Sequence, residues 1–580
     1  MIRAFLHAVG PDQAGPLRAS LALTTLVSAV QGVLFALLVP VLTALLSPDP
    51  QAARPWLGVL LGAAAGYAVL RATSLFVNFR VGGAVSRGLH HRIGDQLVRL
   101  PLGWFTRARV GELNRITTDA VSRATNLPVH LYPPLADAVV TPVVAVAALA
   151  LWDWRLGLAA AACLPLLWVV FRRAGDAAGR YDGARDAAAD EAADRVLEFA
   201  QAQPVLRAFG RAEQGTARLD AALAAEHGAF RTLLARAVPA LLGYSFAVRF
   251  TFAVLLAGTV YLAAGGDLAA PRAVALLVLV ARFTHPLAAA GEQSAALRMA
   301  VNQLQRINAV LDARPLPEPA TPVPPRGADV EFDGVVFSYS PEGPRVLDGV
   351  DLRAEPGTLT ALVGPSGSGK TTAARLLARF HDVDAGSVRV GGVDVREIGS
   401  DELSRHVAVV FQDVYLFDAS IAENVRVADP DATRADLDRV AALAGLDTVV
   451  AELPEGWDTR VGEGGAALSG GQRQRVSIAR ALLKDAPIVV LDEASAALDA
   501  ENEAVVTAAA VALAAEGRTV LVIAHRPATV AAADQVVFLD GGKVAEAGPP
   551  GELLARGGRH ADFVRTRERA RGWRLTSAAP

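Results

Sequence analysis

The chain has one cysteine, Cys163, in 580 residues. That excludes a disulfide framework, and a lone thiol inside an apolar run reads as a small core hydrophobe. An excess of charge is also lacking, with 56 basic residues against 59 acidic ones and a formal net charge of -3. Such a balance gives no general attraction to nucleic acid, and no nucleic-acid partner is expected. Charged residues make up only 20% of the sequence against 52% hydrophobic, and the mean hydropathy is +0.33. This is too apolar for an ordinary soluble enzyme of that length. Nothing after Met1-Ile2-Arg3 reads as a signal peptide. The first apolar run is too long for an h-region and lacks a clear cleavage site, so it is expected to remain as a membrane span.

Apolar stretches of bilayer-spanning length, about 20 residues each, fall near 21–46, 56–79, 135–152, 156–171, 238–264 and 269–290. The connections after the first, third and fifth are short, whereas those after the second and fourth are long, polar and helical in pattern. Arg80, Arg87, Arg92, Arg99, Arg107 and Arg109 follow the second stretch, and Arg172 and Arg173 follow the fourth. The short connections carry chiefly Arg54, Arg155 and Arg272. The positive-inside rule therefore puts the long connections and both termini in the cytoplasm of a multi-pass protein. Trp152 and Trp154 bracket one short connection, where interfacial aromatics belong.

Pro315, Pro317, Pro319, Pro322, Pro324 and Pro325 then break the helical pattern. Proline fixes the backbone and removes amide donors, which predicts an extended, semi-rigid linker over 313–327. From 328 onward short β-branched runs alternate with helices, the pattern of an α/β domain. After Thr566 the sequence is polar and basic, with Arg569, Arg571 and Arg574, and reads as a frayed tail over 567–580.

The α/β region carries the chemistry. Gly364-Pro365-Ser366-Gly367-Ser368-Gly369-Lys370-Thr371, with Thr372 beside it, follows the apolar strand Leu359-Thr360-Ala361-Leu362-Val363 and leads into a helix. This is the phosphate-binding loop in its required context. Its amides cradle phosphate, Lys370 reaches the β- and γ-phosphates, and the Thr371 hydroxyl ligates Mg²⁺. Ile488-Val489-Val490-Leu491-Asp492 reads as a buried parallel strand that delivers Asp492 to the carboxyl edge of a sheet, as a second Mg²⁺ contact. Glu493 follows and is placed to polarise the attacking water as a general base.

Leu468-Ser469-Gly470-Gly471-Gln472, lying between these two motifs, makes the order resemble the ATP-binding-cassette (ABC) ATPases. The resemblance implies ATP and Mg²⁺ as ligands. It also implies that Leu468–Gln472 is a signature closing on nucleotide held by a second cassette. Tyr339, in Phe337-Ser338-Tyr339, resembles the aromatic that stacks on adenine. Gln412 resembles the residue that senses Mg²⁺ and γ-phosphate, His525 the switch histidine, and Asp499 the loop joining the two sites. Thr459-Arg460-Val461-Gly462-Glu463 resembles a segment contacting the partner's membrane domain. Ala496 and Pro527 depart from the family pattern without removing a group that phosphoryl transfer needs.

The membrane half resembles the exporter-type ABC transmembrane domain. Leu100-Pro101-Leu102-Gly103-Trp104-Phe105 matches its first intracellular loop, and Glu198-Phe199-Ala200-Gln201 with Val205-Leu206-Arg207-Ala208-Phe209-Gly210 its second. The expected fold is a six-helix α transmembrane domain (1–312) with long cytoplasmic helix extensions, the linker, and an α/β P-loop NTPase cassette (328–566). It implies a half-transporter in a bacterial inner membrane, working against a second half-transporter and surrounded by lipid.

Charged or titratable residues inside spans are costly and face a cavity or a partner. Arg71, Asp137, Arg249, Arg282, His285 and Glu292 qualify. Arg249, Arg282 and His285 are the candidates for a pathway that takes a small amphiphilic, anionic or metal-chelating substrate. The start Met1-Ile2-Arg3, Glu198-Phe199-Ala200 with Arg207-Ala208, and Arg480-Ala481-Leu482-Leu483-Lys484 leading to Asp499-Ala500-Glu501-Asn502-Glu503 are similar to one subgroup. It comprises the siderophore importers of mycobacteria and yersiniae, heterodimers with the exporter fold. Export of a lipid, drug or peptide by a homodimer or heterodimer, and an ATP-gated channel or regulator, are the alternatives.

Overall fold

The computed structural model describes residues 2–210, 216–492, 500–524 and 526–571. The chain divides into two units, Met1–Val98 with Arg107–Ala313 and Arg99–Thr106 with Arg314–Pro580.

The first unit is helical. A short helix, Ile2–Val9, buries Phe5, Ala8 and Val9. Among the described residues, 6 helices are long and apolar enough to cross a membrane. Their paths are Pro11–Leu45, Arg54–Arg99, Arg109–Trp152, Trp154–Ala208, Thr216–Ala264 and Ala270–Leu311. The second and fourth have 46 and 55 residues. At about 1.5 Å per residue they reach about 70 and 80 Å, more than twice a hydrocarbon core of about 30 Å. The long polar connections are thus continuations of the span helices themselves.

The short connections are capped tightly. Asp153 alone separates the third and fourth helices, and its carboxylate accepts from the amides of Arg155 (2.9 Å) and Leu156 (3.2 Å). Arg155 pairs with Asp267 of the next short connection at 2.6 Å, and Arg272 lies over the Trp152 ring. The third path contains π-turns at Ile116–Ala120 and Leu127–Leu131. Pro128 sits in the second of these, where a widened turn accommodates its missing amide donor.

Polar side chains line one another between the first three spans. Ser20 Oγ donates to Asn78 Oδ1 (2.5 Å), and Asn78 Nδ2 donates to Thr24 Oγ1 (3.1 Å). Deeper along, Ser28 Oγ donates to Asp137 Oδ1 (2.6 Å), and Arg71 Nη1 stands 3.7 Å from Asp137 Oδ2. Arg71 and Asp137 therefore lower each other's cost of immersion.

The second unit contains two sheets. The strands are β1 (Val330–Phe337), β2 (Leu347–Ala354), β3 (Leu359–Val363), β4 (Ala385–Val390), β5 (Val393–Asp394), β6 (Val407–Val410), β7 (Ile488–Asp492), β8 (Thr519–Ile523), β9 (Gln535–Asp540) and β10 (Lys543–Gly548). One sheet runs β2-β1-β4-β5, antiparallel, and the other β10-β9-β3-β8-β7-β6, parallel except at β10. Every residue of β3, β7 and β8 is buried. Strands covered on both faces need continuous apolar runs, which is what their sequences show. Lys484, just after helix Gly470–Leu483, donates to the Val407 carbonyl at 2.9 Å, and burial pushes its ammonium pKa down. Lys543 is exposed and pairs with Asp348 at 3.1 Å.

Residues 313–327 form no helix or strand. The segment is nonetheless strapped to the cassette rather than free: Val323 N donates to Glu397 O (2.9 Å) and Arg326 N to Gly391 O (3.2 Å). Helix Arg559–Arg571 runs past Thr566, where a frayed tail was expected. Glu546 accepts the amides of Arg559 and His560 at its start, and Phe563 packs on Phe538. An anchored first turn lets the polar residues behind it stay helical.

Candidate nucleotide site

β3 ends at Val363 and the chain turns through Gly364 at φ 155°. A Cβ there would run into the Leu539 carbonyl of β9. Gly369, at φ 103°, caps helix Lys370–Leu377, and a Cβ on it would meet Leu347. These two positions require glycine because the loop passes so close to its neighbours. Pro365, Ser366 and Gly367 form the exposed crest, while Ser368, Gly369 and Lys370 are buried. The Lys370 ammonium is held inside the loop, donating to Gly364 O (3.0 Å) and Pro365 O (2.8 Å). A fixed cation beside helix amides makes an anion cradle.

Asp492 ends β7 between β6 and β8, and it is 5% exposed. Thr371 Oγ1 donates to Asp492 Oδ1 at 3.2 Å. A hydroxyl and a carboxylate so placed are hard oxygen donors of the kind Mg²⁺ takes, so the residues present fit that ion. Gln412 is exposed, two residues beyond β6, whose Val410 pairs with Leu491 next to Asp492. Tyr339 joins the same site: its hydroxyl lies 3.0 Å from Thr372 Oγ1, and 49% of the residue remains exposed.

Sequence reasoning missed His381. Its ring meets Tyr339 edge-on at 5.5 Å and Phe337 at 5.4 Å. Burial and the Arg375 cation hold its pKa below the usual imidazole value, against the pull of Asp382. Gly103, in the segment 99–106 that belongs to this unit, lies so close that any Cβ would strike the His381 ring. The available signal was its place just beyond the P-loop helix.

Ser469 caps helix Gly470–Leu483 through a reciprocal box. Gln472 N donates to Ser469 Oγ (3.2 Å), and Ser469 N donates to Gln472 Oε1 (2.9 Å). Leu468 is 5% exposed and anchors the turn in the core. Ser469 is exposed, with Gly470 and Gly471 half-buried behind it. Ser469→Ala is expected to cost about 1 kcal/mol of local stability, a roughly fivefold loss of hydrogen-exchange protection in the first helical turn.

The ABC transporter transmembrane region family matches residues 18–287, and the ABC transporter family matches residues 347–496. Mycobactin import ATP-binding/permease protein IrtB of Mycolicibacterium smegmatis is 40% identical over 581 residues, covering 99% of this chain and 100% of that protein. The chain belongs to the ABC transporter family. Mycobactin import ATP-binding/permease protein IrtA of Mycolicibacterium thermoresistibile is 37% identical over 559 residues, and the match spans 94% of this chain and 61% of IrtA. A bacterial Atm1-family ABC exporter with ATP bound superposes with TM-score 0.77 at 26% identity, over 98% of this chain and 99% of that one.

As an ABC transporter the protein couples ATP hydrolysis to transport, with the exporter-type fold of six apolar helices and a cassette. Glu493, Asp499 and His525 lie outside the described residues, as does the side chain of Glu292. Arg249, Arg282 and His285 are exposed on the fifth and sixth span helices of this chain.

Proposed function

We propose that this ABC transporter is one half of a heterodimer that imports a ferric siderophore across a bacterial plasma membrane. The observation that carries the proposal is end-to-end similarity, at 40% identity, to a mycobactin import ATP-binding/permease protein, IrtB. Two differently named proteins of mycobactin import, IrtB and IrtA, both match this chain, which favours unlike partners over a homodimer. The capped signature, with Ser469 exposed, suits closure on nucleotide held by the other half. Tyr415 and Phe417 are exposed and meet edge to face beside Asp418, whose carbonyl accepts from the Arg460 guanidinium. That aromatic patch suits the partner's intracellular loop. The arginine-rich helix extensions support a cytoplasmic cassette and cytoplasmic termini.

Within the site, Lys370 and the loop amides would hold the phosphates and Tyr339 would stack on adenine. Thr371, Asp492 and Gln412 would hold Mg²⁺, which supplies charge neutralisation at the β- and γ-phosphates when bound. Glu493 would take the proton of the attacking water, and His525 would contact the γ-phosphate. Arg249, Arg282 and His285 are proposed to meet the substrate.

Uptake of radiolabelled ferric siderophore by proteoliposomes or by cells depleted of the protein tests this reading. ATP-dependent accumulation is expected on the cassette-containing side. Expulsion of the chelate would reverse the direction, and transport of lipid or drug without the chelate would overturn the substrate. Conductance without accumulation against a gradient would make the protein a channel.

A further inference from the structure

The P-loop helix Lys370–Leu377 closes with two bonds, from Phe380 N to Arg375 O (2.9 Å) and from Arg379 N to Leu376 O (3.0 Å). This is a Schellman motif, which puts the residue after the cap in the left-handed region and ordinarily uses glycine there. Here that residue is Arg379, at φ 50°. Its Cβ makes the conformation unfavourable where glycine would adopt it freely. The side chain must therefore return something the backbone does not.

What it touches is specific. The Arg379 side chain is 4% exposed, and its Nε donates to Asp382 Oδ1 at 2.9 Å. Its Nη2 donates to the carbonyl of Pro317 at 2.7 Å, in the proline-rich linker. Its Nη1 is buried and has no hydrogen-bond partner among the described residues. A guanidinium can hold two acceptors in a fixed fork, which a lysine cannot. Pro315, Pro317 and Pro319 offer no amide, so carbonyls such as that of Pro317 serve as handles for a donor along this stretch. Further along, Val323 and Arg326 donate to Glu397 and Gly391 of the cassette.

We propose that Arg379 is a positioning residue: it locks the linker that follows the sixth span helix to the C-terminal end of the P-loop helix, so that linker and phosphate loop shift together when nucleotide binds. The linker becomes a second line of communication in the chain, separate from the intracellular loops. Lys370 lies at one end of this helix and the Arg379 fork just past the other. A rigid two-turn helix transmits a displacement at its N-terminus to the carbonyl of Pro317.

The test is hydrogen exchange on the full-length transporter in lipid nanodiscs, with and without a non-hydrolysable ATP analogue and Mg²⁺. Wild type is expected to show nucleotide-dependent change, about threefold or more, in the exchange of the Val323 and Arg326 amides. Arg379→Gly should abolish that linker response while analogue affinity stays within about twofold and the P-loop helix remains protected. Glycine suits the left-handed position, so the backbone motif is kept while the fork is removed. Arg379→Lys, with charge but no fork, should restore only part of the response. The proposal is overturned by a linker response that persists in Arg379→Gly, or by a wild-type linker blind to nucleotide. Parallel collapse of analogue binding and of protection across the whole cassette in both variants would also overturn it, since that is the mark of a purely structural arginine.

Discussion

Replacing Glu493 by glutamine is expected to lower ATP turnover by about 10²–10⁴-fold, the range over which a positioned general base acts. Nucleotide binding should survive. The reason lies in the strand before it: β7 delivers Asp492, 5% exposed, within 3.2 Å of Thr371 Oγ1. Glu493 is the next residue in the chain, and glutamine keeps its shape while removing the basic oxygen. Steady-state phosphate release, paired with nucleotide-dependent cross-linking of the two cassettes, reads both halves of the expectation. Cross-linking should persist and phosphate release should nearly stop. An unimpaired rate would show that another group polarises the water.

Lys370→Ala should act on the other half of the cycle. The Lys370 ammonium, donating to the carbonyls of Gly364 and Pro365, is a buried cation held where the phosphates would lie. Charge-assisted hydrogen bonds contribute about 1.5–3 kcal/mol each, so ATP affinity should fall by about 10–100-fold. Hydrolysis should fall further, by about 10²–10³-fold, because charge shifting in the transition state loses its electrostatic partner. A binding titration with a fluorescent ATP analogue beside the hydrolysis assay separates the two. Lys370→Ala should lose cross-linking as well as turnover, and Glu493→Gln only turnover. Equal behaviour of the two variants would remove the division of labour.

The elements that could be read from sequence alone are those that a single local rule dictates. β3 and β7 were legible because each is a short apolar run ending in a polar motif, and the structure buries both completely. Six spans were legible from length and hydropathy. Their extent was not, since nothing in the polar continuation of Trp154–Ala208 marks where lipid ends and water begins along an unbroken helix. The pairing of Arg71 with Asp137 depends on how two helices are rotated about their axes, which no one-dimensional pattern states. Arg379 was invisible for a different reason. An arginine after a helix looks like an ordinary solvated cap until the two closing bonds show that the position belongs to glycine. The Ser469–Gln472 box, by contrast, was available in the sequence as a serine followed three residues later by glutamine.

The placement of the lysines has a practical consequence. Lys370, Lys484 and Lys543 are the only lysines of the chain. The first is sealed in the phosphate loop and the second donates inward to the Val407 carbonyl. Lys543, with 62% of its side chain exposed, is left as the lysine that a reagent in solution can reach. Amine-directed dyes and tethers thus have a natural attachment point on this cassette without engineering, on the strand edge at β10. Arginine takes the other cationic positions, and its guanidinium does not react with such reagents.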